Sequence, residues 1–333
     1  MKAKWCIVIC IALLTASCST KWAMKTAPAE TPYLLSSSQS GTMIGHTMSI
    51  KGFEEIGGSL RTFVFGKSQA AFERPVAIAV APDGRFAVAD TGLKCVHLYI
   101  PSEGTYRQLT GVKDRSFSAP VSVAFDSLMR LYVSDSSLSK VFVFDQNGKY
   151  SSTIDSVAFI RPTGVAYDSE KKLLFVLDTI DNKVYKINDR GEVLSSFGER
   201  GSEKGQFNFP SHIGLSSYGL IYIVDTMNFR LQVFNDSGVL QSSFGRHGNG
   251  SGDFAMPKGV AVDSTGTIYI VDNLFDNIQL FDWEGNFLYT IGRRGTERGE
   301  FWLPTGIFID GKDRLYVCDT FNQRIEVFQI IKN

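Results

Sequence analysis

The chain is built on a repeat. An Asp that ends a short apolar run recurs at Asp90, Asp135, Asp178, Asp225, Asp272 and Asp319, at intervals of 43 to 47 residues. A Pro stands 15 or 16 residues before each one, at Pro75, Pro120, Pro162, Pro210, Pro257 and Pro304. Three residues before the Asp come Ala87, Tyr132, Phe175, Tyr222, Tyr269 and Tyr316, and nine after it come Tyr99, Phe144, Ile187, Phe234, Phe281 and Phe328. Five of the six residues in each column are aromatic. Self-similarity at this period means one supersecondary unit stacked on copies of itself, so separate ordinary domains are excluded.

The unit reads as strands. In the fifth copy, Gly259 to Val262 is an apolar run, Asp263 to Gly266 is a turn, and Ile268 to Asp272 is a second run. Alternating Ile278 to Phe281, the turn Asp282 to Gly285 and a fourth run, Phe287 to Ile291, complete it. Four short strands per unit, six times over, predict an all-β, six-bladed β-propeller. Each twisted blade has two apolar faces, and stacking against both neighbours buries them. The aromatic columns are the expected inter-blade core. The sixth unit ends after its third strand, at Gln329 to Asn333, whereas Leu60 to Gly66 looks like the fourth-strand segments Val193 to Gly198 and Val239 to Gly245. Residues 59 to 65 are therefore expected to complete the last blade and remove its open edge.

Outside the repeat, the first 18 residues hold Lys2 and Lys4, an apolar run from Trp5 to Leu14, and Thr15-Ala16-Ser17 before Cys18. Ten apolar residues are too few for a membrane-spanning helix, which needs about 20, so this is an export signal. It resembles a bacterial lipoprotein signal, which implies lipid on Cys18; an ordinary secretory signal cleaved near Ser17 is the alternative. The Ser-, Thr-, Pro- and Ala-rich stretch that follows reads as a tether, with a docked stretch around Met43 to Phe53. The expected organisation is signal peptide 1–17, tether 18–58 and propeller 59–333.

The 34 basic and 34 acidic side chains argue against nucleic acid as a partner. Only Cys95 and Cys318 lie in the body of the chain, so it is no disulfide scaffold. They are expected as small buried residues, with a bridge across the closed ring as the rival reading.

The pattern Pro-x-Gly-Val-Ala-x-Asp followed by Ile-Tyr-Val-x-Asp-Thr-x-Asn-x-Arg-Ile-x-Val-Phe is seen as Pro304 to Asp310 with Leu315 to Phe328, and as Pro210 with Ile221 to Phe234. It resembles the NHL repeat, and the runs Phe207 to Ile213 and Asp225 to Arg230 sharpen the resemblance to bacterial NHL-repeat lipoproteins. The match is strong in repeats four to six. It is weaker in the first two, where Cys95 takes the Arg position and Ser136 to Ser139 replaces the Asn-containing turn. The resemblance implies a fold and a protein- or RNA-binding face, with no set activity.

Strands in a blade alternate in direction, so the six Asp turns share a face with the connectors between blades. The long connectors Gly198 to Phe207, Gly245 to Phe254 and Gly292 to Phe301 carry Arg200, Lys204, Arg246, His247, Arg293, Arg294 and Arg298, the expected binding residues together with His212 at the channel mouth. The six Asp are expected to accept backbone N–H bonds, and Lys140, Lys183, Arg230 and Arg324 to brace them. Amidating lyases built of NHL repeats hold zinc with several His, and His212 stands alone at such a place. The inner strands also lack the acids of a lactonase-like calcium site. No cofactor or metal is expected. The chain reads as a lipid-anchored envelope propeller, in the outer membrane by the Ser19 that follows Cys18, acting as a non-catalytic scaffold for another envelope protein. A hydrolase or lyase with its site at the central channel is the alternative.

Overall fold

The repeat Pro and the repeat Asp face each other across one pair of strands: Pro75 opposes Asp90, Pro120 opposes Asp135, Pro162 opposes Asp178 and Pro257 opposes Asp272. Proline is tolerated there because the first residue of a strand need not donate to the ladder. The computed structural model describes residues 21–27, 34–36, 42–56, 69–113, 115–155 and 159–332. Five four-stranded antiparallel blades follow in chain order, each running inner to outer. Blade one is Pro75–Val80, Phe86–Asp90, Cys95–Ile100 and Thr105–Leu109. Blades two to five begin at Pro120, Pro162, His212 and Pro257 and end at Ile154, Phe197, Phe244 and Ile291. The inner strands touch in sequence, and Ile307–Ile309 of blade six returns to Pro75–Val80, which closes the ring.

Burial explains why the second strands carry nearly unbroken apolar runs. Phe86–Asp90, Leu131–Asp135, Leu173–Asp178, Ile221–Asp225 and Ile268–Asp272 are buried at every position, because blades cover both faces. The outer strands are mostly half-buried or exposed. Tyr132, Tyr269 and Tyr316 fill inter-blade space, and their hydroxyls donate to Asp126, Asp263 and Asp310 in the turn after each inner strand. A further column is Phe72, Phe117, Phe159, Phe207, Phe254 and Phe301, three residues before each Pro and all buried. It anchors the chain as it enters each blade.

Ring closure by an N-terminal strand is present, and the strand is Thr42–Ile56. It pairs with Arg324–Lys332 from Lys332 opposite Thr42 to Ile325 opposite Ile50, then continues past the seam to pair Gly52–Glu54 with Gln69–Ala71. The expected donor, residues 59 to 65, lies outside the described residues. The physical reason for the observed choice is reach: one 15-residue strand spans both blade six and the entry to blade one. Phe53, fully buried, stacks on Tyr106 at 4.5 Å and meets Phe72 edge-on, inside a cluster that joins Ile78 and Val88 of blade one to Tyr316, Cys318 and Ile325 of blade six. Strands Lys21–Ala27 and Leu34–Ser36 cover the outer edge of Thr42–Ile56. Thus three strands lie within the stretch read from sequence as a tether, and the docked stretch expected around Met43 to Phe53 falls in the longest of them.

Candidate functional site

Each repeat Asp is fully buried, and its carboxylate is occupied by backbone donors. Asp90 accepts from Glu73, Arg74 and Leu93 N–H, Asp135 from Ser118 and Ala119, and Asp178 from Ile160 and Arg161. Asp225 accepts from Asn208, Asp272 from Ala255 and Met256, and Asp319 from Trp302. Every carboxylate thereby ties the segment entering its blade to the turn after the second strand, so the turns and connectors form one surface. Burial pushes Asp225, Asp272 and Asp319 above the ordinary carboxylate value, despite hydrogen bonds that oppose it. At Asp90 burial also works against the charge, but His97 and three backbone N–H groups outweigh it and hold the carboxyl low.

The basic column divides. Arg230 and Arg324 donate Nε to Asp225 and Asp319 at 2.8 Å, and their remaining N–H groups reach connector carbonyls of Ser202, Glu203 and Gln206, and of Thr296, Glu297 and Glu300. Lys183 turns instead to Asp181, at 3.2 Å. Gln279 ties the remaining long connector, Gly245 to Phe254, donating Nε2 to Asp253 O and accepting from Gly252 N–H, so all three long connectors are held rigidly. In each of them a buried Phe ring lies over the first glycine, and a Cβ on Gly198, Gly245 or Gly292 would meet Phe207, Phe254 or Phe301 at 2.3 to 2.5 Å.

The expected binding residues on these connectors sit at the rim. Arg200, Lys204, Arg246, His247, Arg293 and Arg294 are exposed and Arg298 is half-buried. Arg246 pairs with Asp253 and Arg293 with Glu300 inside their own loops, and His247 packs on Phe229. Arg294 lies over the Trp302 ring at 5.7 Å. Sequence reading missed what joins them. Trp302 (38% exposed) and Phe321 (44%) pack with their rings tilted, 5.7 Å between centroids, and Arg74 lies over Phe321 at 5.8 Å. An open row, Arg294–Trp302–Phe321–Arg74, thus crosses from the last connector to blade one. Leu93, Ile160, Ile180, Phe209, Met227 and Leu274 are also exposed in the Asp turns or just before the blade prolines. The available signal was the residue two or three places after each repeat Asp, which is apolar in all six copies.

Inside this ring of side chains the channel opens into a cavity of about 540 Å³ lined by Arg161, Lys258, His212, five Ser or Thr residues, Phe209, Met227, Met256, Val76, Val121 and Gly306. His212 also lines a second cavity of about 450 Å³ at the opposite face, among the ends of the inner strands. It occupies the third inner-strand place, where Gly164, Gly259 and Gly306 stand in other blades, and so adds a ring to the wall of both cavities. Burial holds His212 down to about 4, leaving it neutral at neutral pH. Burial and then the charge of Arg161 lower the Lys258 ammonium below its ordinary value. Among the described residues no three His, Cys, Asp or Glu side chains converge as metal ligands. Cys95 and Cys318 are buried and free. Cys18 and the rest of the signal lie outside the described residues. No described helix is long and apolar enough to cross a membrane.

Comparison with known proteins supports the architecture. The model of a family, DUF5128, described as a 6-bladed beta-propeller, matches residues 207–279 and 264–331. No curated protein matches the sequence. Among solved structures, an auxiliary nutrient binding protein from Bacteroides thetaiotaomicron aligns with a TM-score of 0.61 at 11% identity, over 78% of this chain and 69% of its own. A streptogramin B lyase aligns at 0.58 and 12%, over 93% and 98%. A virginiamycin B lyase from Staphylococcus aureus aligns at 0.55 and 14%, over 78% and 96%. The chain is a six-bladed β-propeller. At such identities the likeness extends to the fold alone, which hosts both binding proteins and lyases.

Proposed function

We propose that this protein is a lipid-anchored envelope propeller of NHL-type repeats that binds another envelope protein through its Asp-turn face and carries out no chemistry itself. The observation that carries this reading is the open row Arg294–Trp302–Phe321–Arg74, since exposed Trp, Phe and Arg in contact are the residue types that dominate protein interfaces. The rigid connectors hold this row in place, so binding needs little ordering of loops. The basic connectors contribute orientation more than affinity, because Arg246 and Arg293 are already paired within their loops. With lipid on Cys18, only Ser19 and Thr20 separate the anchor from strand Lys21–Ala27, which would keep the edge of blade six near the membrane.

The experiment is a pulldown from native membranes with Trp302→Ala/Phe321→Ala and, separately, Arg294→Glu. The expected result is loss of the partner in the double variant and weakening in the charge variant, with unchanged melting. Partners retained by both would sink the surface assignment. The second reading, a hydrolase or lyase at the channel, draws on the lyases of this fold and on His212 between two cavities. Among the described residues no side chain hydrogen-bonds His212, so no nucleophile and base are assembled there.

A further inference from the structure

The channel mouth holds two cations with nothing to neutralise them. The cavity on the Asp-turn face is lined by Arg161 from the entry to blade three and Lys258 from the inner strand of blade five, and by no Asp or Glu. Neither side chain has a hydrogen bond or ion pair among the described residues. Lys258 is half-buried and Arg161 exposed. Even partial burial of an ammonium without a counter-charge opposes folding, and the ring offers an alternative at this place: the residue after the blade proline is Val76, Val121, Thr163, Ser211 or Thr305 in the other five blades. Lys258 is the only charged member of that set.

The remaining polar groups of the wall are already committed. Thr179 Oγ1 donates to Pro210 O, Thr226 Oγ1 to Pro257 O, Thr305 Oγ1 to Val76 O and Ser211 Oγ to Lys258 O, while Thr163 and Thr179 share a hydrogen bond. The donors left for a ligand are the guanidinium, the ammonium and the His212 ring, set beside apolar Phe209, Met227 and Met256. A volume of about 540 Å³ lies in the range of small-molecule sites.

We propose that this cavity binds a small organic carboxylate, with its anionic head held between Arg161 and Lys258 and its apolar body against Phe209, Met227 and Met256. Such an anion supplies the missing counter-charge for both cations, and charge-assisted hydrogen bonds from them fix its orientation. The inference goes beyond the platform reading and does not depend on it, because neither cation belongs to the row Arg294–Trp302–Phe321–Arg74.

The test is calorimetric titration of the chain from Ser19 onward, which keeps every described residue, with octanoate and with indole-3-acetate, and with their uncharged amides. At least one acid is expected to bind saturably at one site, with its amide at least tenfold weaker. Lys258→Thr and Arg161→Met each place in the ring a residue that another blade already carries there, as at Thr305 and Met256, so folding is expected to survive and melting curves check it. Each should weaken the acid about tenfold or more. No saturable binding of either acid, or equal binding in both variants, overturns the proposal. A peptide bound through its free C-terminal carboxylate where both small acids fail also overturns it, and assigns the two cations to a protein partner.

Discussion

Thr320 Oγ1 donates to the carbonyl oxygen of Pro75 at 2.9 Å, joining residues 245 positions apart. The same bond recurs where Thr179, Thr226 and Asn273 reach Pro210, Pro257 and Pro304, each just after a repeat Asp and each directed at the proline that opens the next blade. Three of these stitches join blades adjacent in sequence. The fourth joins the last blade to the first, so the motif that spaces the blades also shuts the ring.

Closure therefore rests on the seam, and on Thr42–Ile56 above all. A chain beginning at Thr42 should melt cooperatively, with a modest loss from the missing outer strands. A chain beginning at Gly57 exposes the unpaired edge of Arg324–Lys332 and removes Phe53, and should aggregate or melt without cooperativity. Calorimetry with light scattering distinguishes them, and identical behaviour of the two would refute seam closure by this strand. Thr320→Val, which loses the bonds to Pro75 O and Thr305 Oγ1, should cost about 2 kcal/mol.

Rigid connectors make a contrast between two glycines. Gly292 has φ +81 and a Cβ there meets the Phe301 ring at 2.3 Å, whereas Gly266 has φ +91 with nothing within 4 Å of an added Cβ. Gly266→Ala should cost about 1 kcal/mol, from backbone strain alone. Gly292→Ala should cost several times more, since the fully buried Phe301 must move. Denaturant unfolding of both variants measures the difference; equal costs would show that the ring yields freely.

His212 gives the stability a pH dependence. Its pKa is about 4 in the fold against an ordinary 6.5. The unfolded chain takes up a proton near 6.5 that the folded chain refuses until about 4. This contribution is thus fully present above pH 6.5 and is lost as pH falls toward 4. His212→Asn should lose this component of the acid slope, so melting temperatures of the two proteins compared from pH 7.5 to 4.5 should draw together or cross. Parallel profiles would show that His212 is not desolvated.

The two body thiols should be inert in the native protein. Burial pushes Cys95 up to about 12, opposed by a hydrogen bond from Gln108, and raises Cys318 well above the ordinary thiol value. In a chain beginning at Ser19, a thiol reagent at pH 8 should find no reactive group until denaturant is added, and then two. Rapid labelling of the native protein would contradict the burial.

The ring was legible because a propeller repeats each requirement six times. A Pro at the start of each inner strand, an Asp at the end of each second strand and an aromatic residue in each inter-blade column are local demands, so they appear at fixed spacing. The closing strand was not legible in the same way. Residues 59 to 65 resemble an outer strand in composition, but outer strands are the least buried and the least specified. The partner of Arg324–Lys332 is chosen by register and by Phe53, which fills a gap between blades that are distant in sequence. Likewise the basic connectors stood out as charges, while Trp302, Phe321 and Arg74 came from three separate segments and meet only on the folded face.

The sequence by itself determined the number of blades, the direction of their strands and the face on which the Asp turns lie, because each follows from interactions within one repeat. The tertiary structure alone decided which strand shuts the ring and which aromatic and cationic side chains form the open row. It also decided that Arg161 and Lys258 face one cavity. Those relationships join residues that the repeat never places side by side in the chain, and they exist only once six twisted sheets share one axis.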